Sequence, residues 1–236
     1  MGEIYFVRHG QASFGEKDYD RLSPTGIRQA KLLAQHMVRT GQSFDAVYCG
    51  TLLRQRNTAE ELIGSFSERG IDIPELSISG DFDEFDSLAV WTAQIPMMLG
   101  ENPALSADLE RVYSDKKIFQ RIFEQVMYRC VSGKFDKPGV PSWSDFKKRV
   151  ESGICKIMET HGSGRKAIIF TSGGPISAAV QQALGLTDNK TIEISWQIMN
   201  ASVTRFKYNS RGMMLSVFND ITYIEMEKDK DLITYR

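Results

Sequence analysis

The sequence predicts an α/β fold with a largely parallel sheet covered by helices. Three observations predict it. Short apolar runs rich in β-branched and aromatic residues alternate with amphipathic helical stretches. Several of those runs end abruptly in polar or small-residue loops that open helices. The middle of the chain, 85–164, changes texture and becomes mainly helix-like, with aromatics at Trp91, Phe119, Phe123, Tyr128, Phe135 and Trp143.

Residues 3–7 form a run whose length suits a buried strand, and it stops at Arg8-His9-Gly10. Ser23 is suited to cap a helix whose first residue is Pro24. Ile27, Ala30, Leu33, Ala34 and Met37 keep helical spacing until Gly41. Residues 45–49 read as a second strand and 52–65 as a second helix. In the middle stretch, Phe146, Val150, Ile154 and Ile157 mark an amphipathic helix after a Pro/Gly loop at 137–141. Residues 166–171 are the most strand-like segment. Ser172-Gly173-Gly174-Pro175 then opens a helix through Leu184 that ends at Gly185. Strands at about 202–208 and 213–218 flank Asn209-Ser210-Arg211-Gly212, a hairpin turn. The tail from Glu225 is charged and expected to be exposed.

The 236 residues suit one α/β domain carrying an insertion, long enough to bury a core without staples. A formal charge of −1 supplies no global field for nucleic acid or an acidic membrane, so any phosphate recognition must be local. Three widely spaced cysteines form neither a disulfide framework nor a metal pair, and Cys49 is expected to be a buried small hydrophobe. No leader pattern opens the chain and no apolar run approaches the ~20 residues of a membrane span. A cytoplasmic protein with no nucleic-acid or membrane partner is the expectation.

Three strand-end loops carry phosphate-compatible chemistry. His9 follows the first strand, where an imidazole can attack and the adjacent Arg8 fork can grip phosphate oxygens. A strand-end histidine is also a common hydrogen-bonded structural residue. Arg54 sits in the first turn of the second helix, beside amides that favour anions, whereas Arg56 lies on another face. The loop after residue 171 can cradle an oxyanion on backbone amides, or serve simply as a tight turn. The acidic string Asp81, Asp83, Glu84 and Asp86 does not match a calcium loop.

Taken jointly these segments resemble the histidine phosphatase superfamily, the phosphoglycerate mutase-like fold. Phe6-Val7-Arg8-His9-Gly10-Gln11 is similar to its signature. Leu22-Ser23-Pro24-Thr25-Gly26-Ile27-Arg28-Gln29-Ala30 is similar to its first-helix segment, and 54–59 to its second-arginine motif. Asp83-Glu84-Phe85-Asp86 resembles the segment holding its proton donor, and 167–176 its last core strand and catalytic loop. The resemblance implies a three-layer α/β/α sandwich with a mostly parallel central sheet. It also implies a single domain over 1–236, with 85–164 a mainly helical cap over the active site.

It further implies a phosphatase that acts on a small phosphoester without metal or cofactor, through a phosphohistidine on His9. Glu84 would protonate the leaving oxygen, and Arg8, Arg54, Ser172 and Gly173 would hold phosphate. The chain departs from the family at two places: Ser172 stands where a second catalytic histidine is expected, and Gly50 where a serine is frequent. His161 and His36 lie roughly 20 Å and 18 Å from the reactive edge by strand and helix rise, too far to substitute. A serine offers one neutral donor, which costs on the order of 3 kcal/mol of transition-state stabilisation, and Ser172→His is expected to restore it. A tuned or slowed phosphatase, a phosphoryl-ligand-binding pseudo-enzyme and, with less support, a mutase therefore stay open.

Overall fold

In the computed structural model, which describes residues 1–13 and 19–235, the chain forms a three-layer α/β/α sandwich. β1 (Gly2–Arg8) leads through the site loop to α1 (Pro24–Arg39). β2 (Ala46–Cys49), α2 (Leu53–Ser67) and β3 (Leu76–Ile78) follow. The helical stretch comprises α3 (Ser87–Glu101), α4 (Leu105–Leu109), α5 (Lys116–Val131) and α6 (Trp143–His161). β4 (Lys166–Thr171), α7 (Gly173–Leu184) and α8 (Asp188–Ser195) rejoin the core. β5 (Val203–Asn209), β6 (Gly212–Asp220) and α9 (Thr222–Glu225) complete it.

The sheet has strand order β3-β2-β4-β1-β5-β6, with β3, β2, β4 and β1 mutually parallel and β5 and β6 antiparallel at one side. The period-2 alternation of the strands divides the core in two. Ile4, Phe6, Ala167 and Ile169 face the layer built from α3, α5, α6 and α7. Tyr5, Val7, Ile168 and Phe170 face α1, α2 and α9.

Local chemistry explains the boundaries. The Ser23 hydroxyl accepts the Gly26 N–H at 3.0 Å, closing the first turn of α1 behind Pro24. Gly185 ends α7 at φ +66°, a left-handed turn that a side chain resists. The Asn209–Gly212 turn joins β5 to β6 as expected. Cys49 is fully buried and burial pushes its thiol up to about 11, so it is an apolar filler.

The tail differs from its expectation. Leu232 is buried, and the Gln29 carboxamide donates to the Leu232 carbonyl at 2.8 Å and to the Thr234 hydroxyl at 2.9 Å. Most charged residues around it are exposed, but Leu232, the partly buried Ile233, the fully buried Gln29 and an Arg28–Asp229 ion pair at 2.7 Å hold the segment against α1. Among the described residues, no helix is long and apolar enough to cross a membrane.

Candidate active site

The register places three strand ends side by side. Arg8 pairs with Thr171 across β1 and β4, and Cys49 with Phe170 across β2 and β4. The next residues, His9, Ser172 and Gly50, therefore form a row along the carboxyl edge of the sheet, where α/β folds gather ligands.

His9 is held from every side. Its N–H donates to the Thr171 carbonyl at 2.8 Å, and its own carbonyl accepts from Asn200 Nδ2 at 3.1 Å and the Ala201 N–H at 3.2 Å. The imidazole Nε2 accepts the Arg54 Nε–H at 3.0 Å, so the ring proton resides on Nδ1, which donates to the Gly10 carbonyl at 2.7 Å. Burial, then the Arg54 and Arg8 guanidiniums, hold the His9 pKa well below the ordinary imidazole value, against the pull of the Gly10 carbonyl. The ring is thus neutral, with a fixed tautomer and its Nε2 lone pair directed at a guanidinium.

Arg54 is itself oriented by Asp20, which accepts Arg54 Nη1 at 2.5 Å and the Leu53 N–H at 2.7 Å. That carboxylate caps the first turn of α2, whose own N-cap residue Leu52 has no side chain to do so. Thr58, one turn further, accepts the Gly10 N–H at 3.1 Å and donates to the Arg54 carbonyl at 2.7 Å, locking the His9 loop to α2. Arg8 donates through Nη1 to the Ile198 carbonyl.

A cleft of about 340 Å³ opens over these groups and is lined by Arg8, His9, Arg54, Glu84, Gly173 and Gly174 among others. The Glu84 carboxyl accepts the Phe85 N–H at 2.8 Å and the Gly174 N–H at 3.1 Å, at the N-terminus of α7. Gly174 makes this possible, because a Cβ there would lie 2.1 Å from Glu84 Oε1. The other acids of the string serve elsewhere. Asp83 accepts the Thr51 N–H and hydroxyl, Asp86 caps α3, and Asp81 pairs with Lys156.

Ser172 does not line the cleft. It is fully buried, and its hydroxyl accepts Gln55 Nε2 at 2.8 Å. The same Nε2 reaches the Phe82 carbonyl at 3.2 Å, so Gln55 ties α2 to both the Ser172 loop and the segment that carries Glu84. Gly50 is the counterpart: a Cβ there would stand 2.0 Å from Gln55 Oε1. Arg56 and the two remaining histidines lie outside the cleft; His161 meets the Tyr48 hydroxyl at 2.8 Å and His36 stacks on Tyr223.

The sequence pattern of the histidine phosphatase superfamily, branch 1, matches residues 4–91 and 116–221. The chain belongs to the histidine phosphatase superfamily. A further match of 38% identity over 64 residues, to an uncharacterized protein of Picosynechococcus, covers 25% of this chain and 39% of that protein. Among solved structures, a phosphoserine phosphatase of Entamoeba histolytica in complex with phosphoserine superposes with a TM-score of 0.63 at 17% identity, covering 95% of this chain and 100% of that one. A phosphoglycerate mutase of Bacillus anthracis gives 0.62 at 17% identity, covering 96% of each chain. A mycobacterial glucosyl-3-phosphoglycerate phosphatase complexed with VO3 gives 0.59 at 19% identity, covering 92% and 98%. At these identities the likeness to the three structures is one of fold. Among the described residues, no group of three or more His, Cys, Asp or Glu side chains is arranged so that it could hold a metal ion.

Of the six site residues expected from the sequence, His9, Arg8, Arg54, Glu84 and Gly173 line one cleft and Ser172 does not. Sequence reasoning gave no role to Asp20, Thr58, Gln55 or Asn200. Gln55 had a readable signal, a carboxamide on the same helical turn as Arg54. Asp20 had none, since it meets α2 only through the tertiary fold.

Proposed function

We propose that this protein is a metal-independent phosphatase that cleaves a small phosphoester through a phosphohistidine on His9. The observation that carries the reading is the buried, neutral His9, whose Nε2 lone pair faces Arg54 while Gly10 holds the Nδ1 proton. The Arg54 N–H leaves Nε2 for the phosphoryl oxygens, the freed Nε2 lone pair attacks phosphorus, the bond to the ester oxygen breaks, and Glu84 delivers a proton to that oxygen. Water then attacks the phosphohistidine, Glu84 takes the proton, and inorganic phosphate leaves with His9 regenerated. Arg8, Arg54 and the Gly173 amide stabilise the transferring group, the guanidiniums supplying the positive charge that a metal would otherwise bring.

In this reading the whole chain is one domain with 85–164 as its cap. Ser172 replaces the family's second histidine, and Gln55 fills the space beside it. A mutase would have to return the phosphoryl group to a second oxygen of the same substrate, which asks more of the site than hydrolysis does.

A non-catalytic phosphoryl binder is the second reading, and the burial of Ser172 away from the cleft favours it. Rapid quench with a labelled phosphoester separates the two. The expected result is an acid-labile, base-stable adduct on His9, absent in His9→Ala. Turnover undiminished in His9→Ala, or an adduct on another residue, overturns the nucleophile assignment, and binding without any adduct favours the binder.

A further inference from the structure

The distribution of charge around the cleft separates its phosphate end from the rest. Among the described lining residues, the cations are Arg8 and Arg54, both beside His9. Beyond them the wall is Phe85, Phe119, Phe123, Met127, Trp143 and Trp196. Hydroxyls at Ser87, Ser195, Tyr19 and Tyr235 also line the cleft, and the Arg54 guanidinium stands 5.7 Å from the centre of the Tyr19 ring. Arg111, Lys116, Lys117 and Arg121, four of the basic residues of the helical stretch, are exposed and do not line the cleft, nor do its other lysines and arginines. Arg111 pairs with Asp115 at 3.2 Å and Arg121 with Asp108 at 2.6 Å.

The apolar wall is also fixed in place. The Trp143 indole N–H donates to Asp188 at 3.1 Å, which satisfies its polar edge outside the cleft. Its ring packs edge-on against Phe85, 5.4 Å between centroids. Phe119 and Phe123 stack at 5.7 Å with planes 13° apart, and Trp91 stacks on Phe119 at 5.6 Å. Phe85 directly follows Glu84, so the substituent on an oxygen protonated by Glu84 begins at this wall.

We propose that the cleft selects phosphomonoesters of uncharged, apolar alcohols, arylalkyl above all, over esters that carry a carboxylate. The inference rests on the phosphatase reading for the position of the leaving group. A carboxylate in this half of the cleft would give up water against aromatic rings with no cation among the described residues to receive it. An aromatic substituent would instead exchange water for ring contacts already held in place.

The test compares 2-phenylethyl phosphate with 3-phosphoglycerate, since both are esters of aliphatic alcohols and differ mainly in the group offered to the wall. The expected kcat/KM ratio favours the phenylethyl ester by about tenfold or more. Phe123→Ser should collapse most of that ratio, and Phe123→Lys should move it toward the carboxylate ester. Tyr113→Ser, on a residue 90% exposed and away from the cleft, should leave it unchanged. Circular dichroism checks that each variant is folded.

Calorimetric binding of 2-phenylethylphosphonate against 3-phosphonopropionate reads the same preference without turnover. A phosphonate preference for the aryl ligand with no His9 adduct would sink the phosphatase reading and keep this one. Equal or reversed preference in both assays, with His9 phosphorylated normally, overturns the proposed selectivity alone.

Discussion

Replacing Gly50 by alanine tests whether the site depends on the carboxamide of Gln55. The new Cβ would lie 2.0 Å from Gln55 Oε1 and 2.7 Å from Asp83 Oδ1, where no real contact survives. Gln55 is fully buried, so it can yield only by giving up its bonds to the Ser172 hydroxyl and the Phe82 carbonyl. Two neutral hydrogen bonds at about 1 kcal/mol each, with about 1–3 kcal/mol for overpacking, put the loss at roughly 3–5 kcal/mol. In a Gln55→Ala background the principal obstacle is gone, and the same substitution should cost less by about 1–3 kcal/mol. Chemical denaturation of the wild type, both single variants and the double variant measures that coupling. A coupling below about 0.5 kcal/mol would mean that Gly50 does not exist to admit Gln55, and the link between α2 and the Ser172 loop would lose its basis.

Arg54→Ala should weaken vanadate or phosphate binding by about 1.5–3 kcal/mol, and Arg56→Ala should leave it nearly unchanged; titration calorimetry decides, and equal losses would refute the assignment. Ser172→His alone should not speed His9 phosphorylation, because an imidazole must displace Gln55 from its 2.8 Å contact; Ser172→His with Gln55→Ala should give the faster burst in rapid-quench experiments. For His9 the folded pKa lies below the unfolded value of about 6.5, so below that pH the unfolded chain takes up a proton that the folded one refuses. Stability should fall as pH drops from about 6.5, by at most ~1.4 kcal/mol per pH unit from this residue, and the slope should be shallower in His9→Gln; parallel denaturation curves at pH 5 to 7 would contradict it. The lowered His36 pKa is common to both proteins and cancels in the comparison.

The parts of the fold legible in the sequence were those set by local rules. Ser23-Pro24 opens α1 and Gly185 closes α7 because capping chemistry is written in neighbouring residues. β4 was readable because four consecutive apolar residues are buried on both faces of a parallel sheet. β3 was not, since its three residues are partly or wholly exposed and the strand exists only by pairing with β2.

The same division runs through the site. His9, Arg8 and Arg54 announce themselves as chemistry at strand and helix ends and Glu84 came through the family resemblance, whereas Asp20, Gln55 and Asn200 act on partners far along the chain. The docking of Leu232 was hidden for another reason: one buried side chain in a charged tail leaves no periodicity to read.

The position of β1 in the sheet governs when the site can come into being. The strand that carries His9 finds its neighbours only in β4 and β5, with Glu3 opposite Lys166 and Gly2 opposite Tyr208. A growing chain therefore leaves both hydrogen-bonding edges of β1 without their native neighbours through most of its synthesis, although α1 and α2 can already cover its Tyr5 and Val7 face. Local contacts such as α1 on α2 or the β5–β6 hairpin close small loops and form early, while joining β1 to β4 must close a loop spanning most of the chain. In refolding, the recovery of phosphate binding should thus trail the recovery of helical signal, making ligand binding a reporter of sheet completion rather than of collapse.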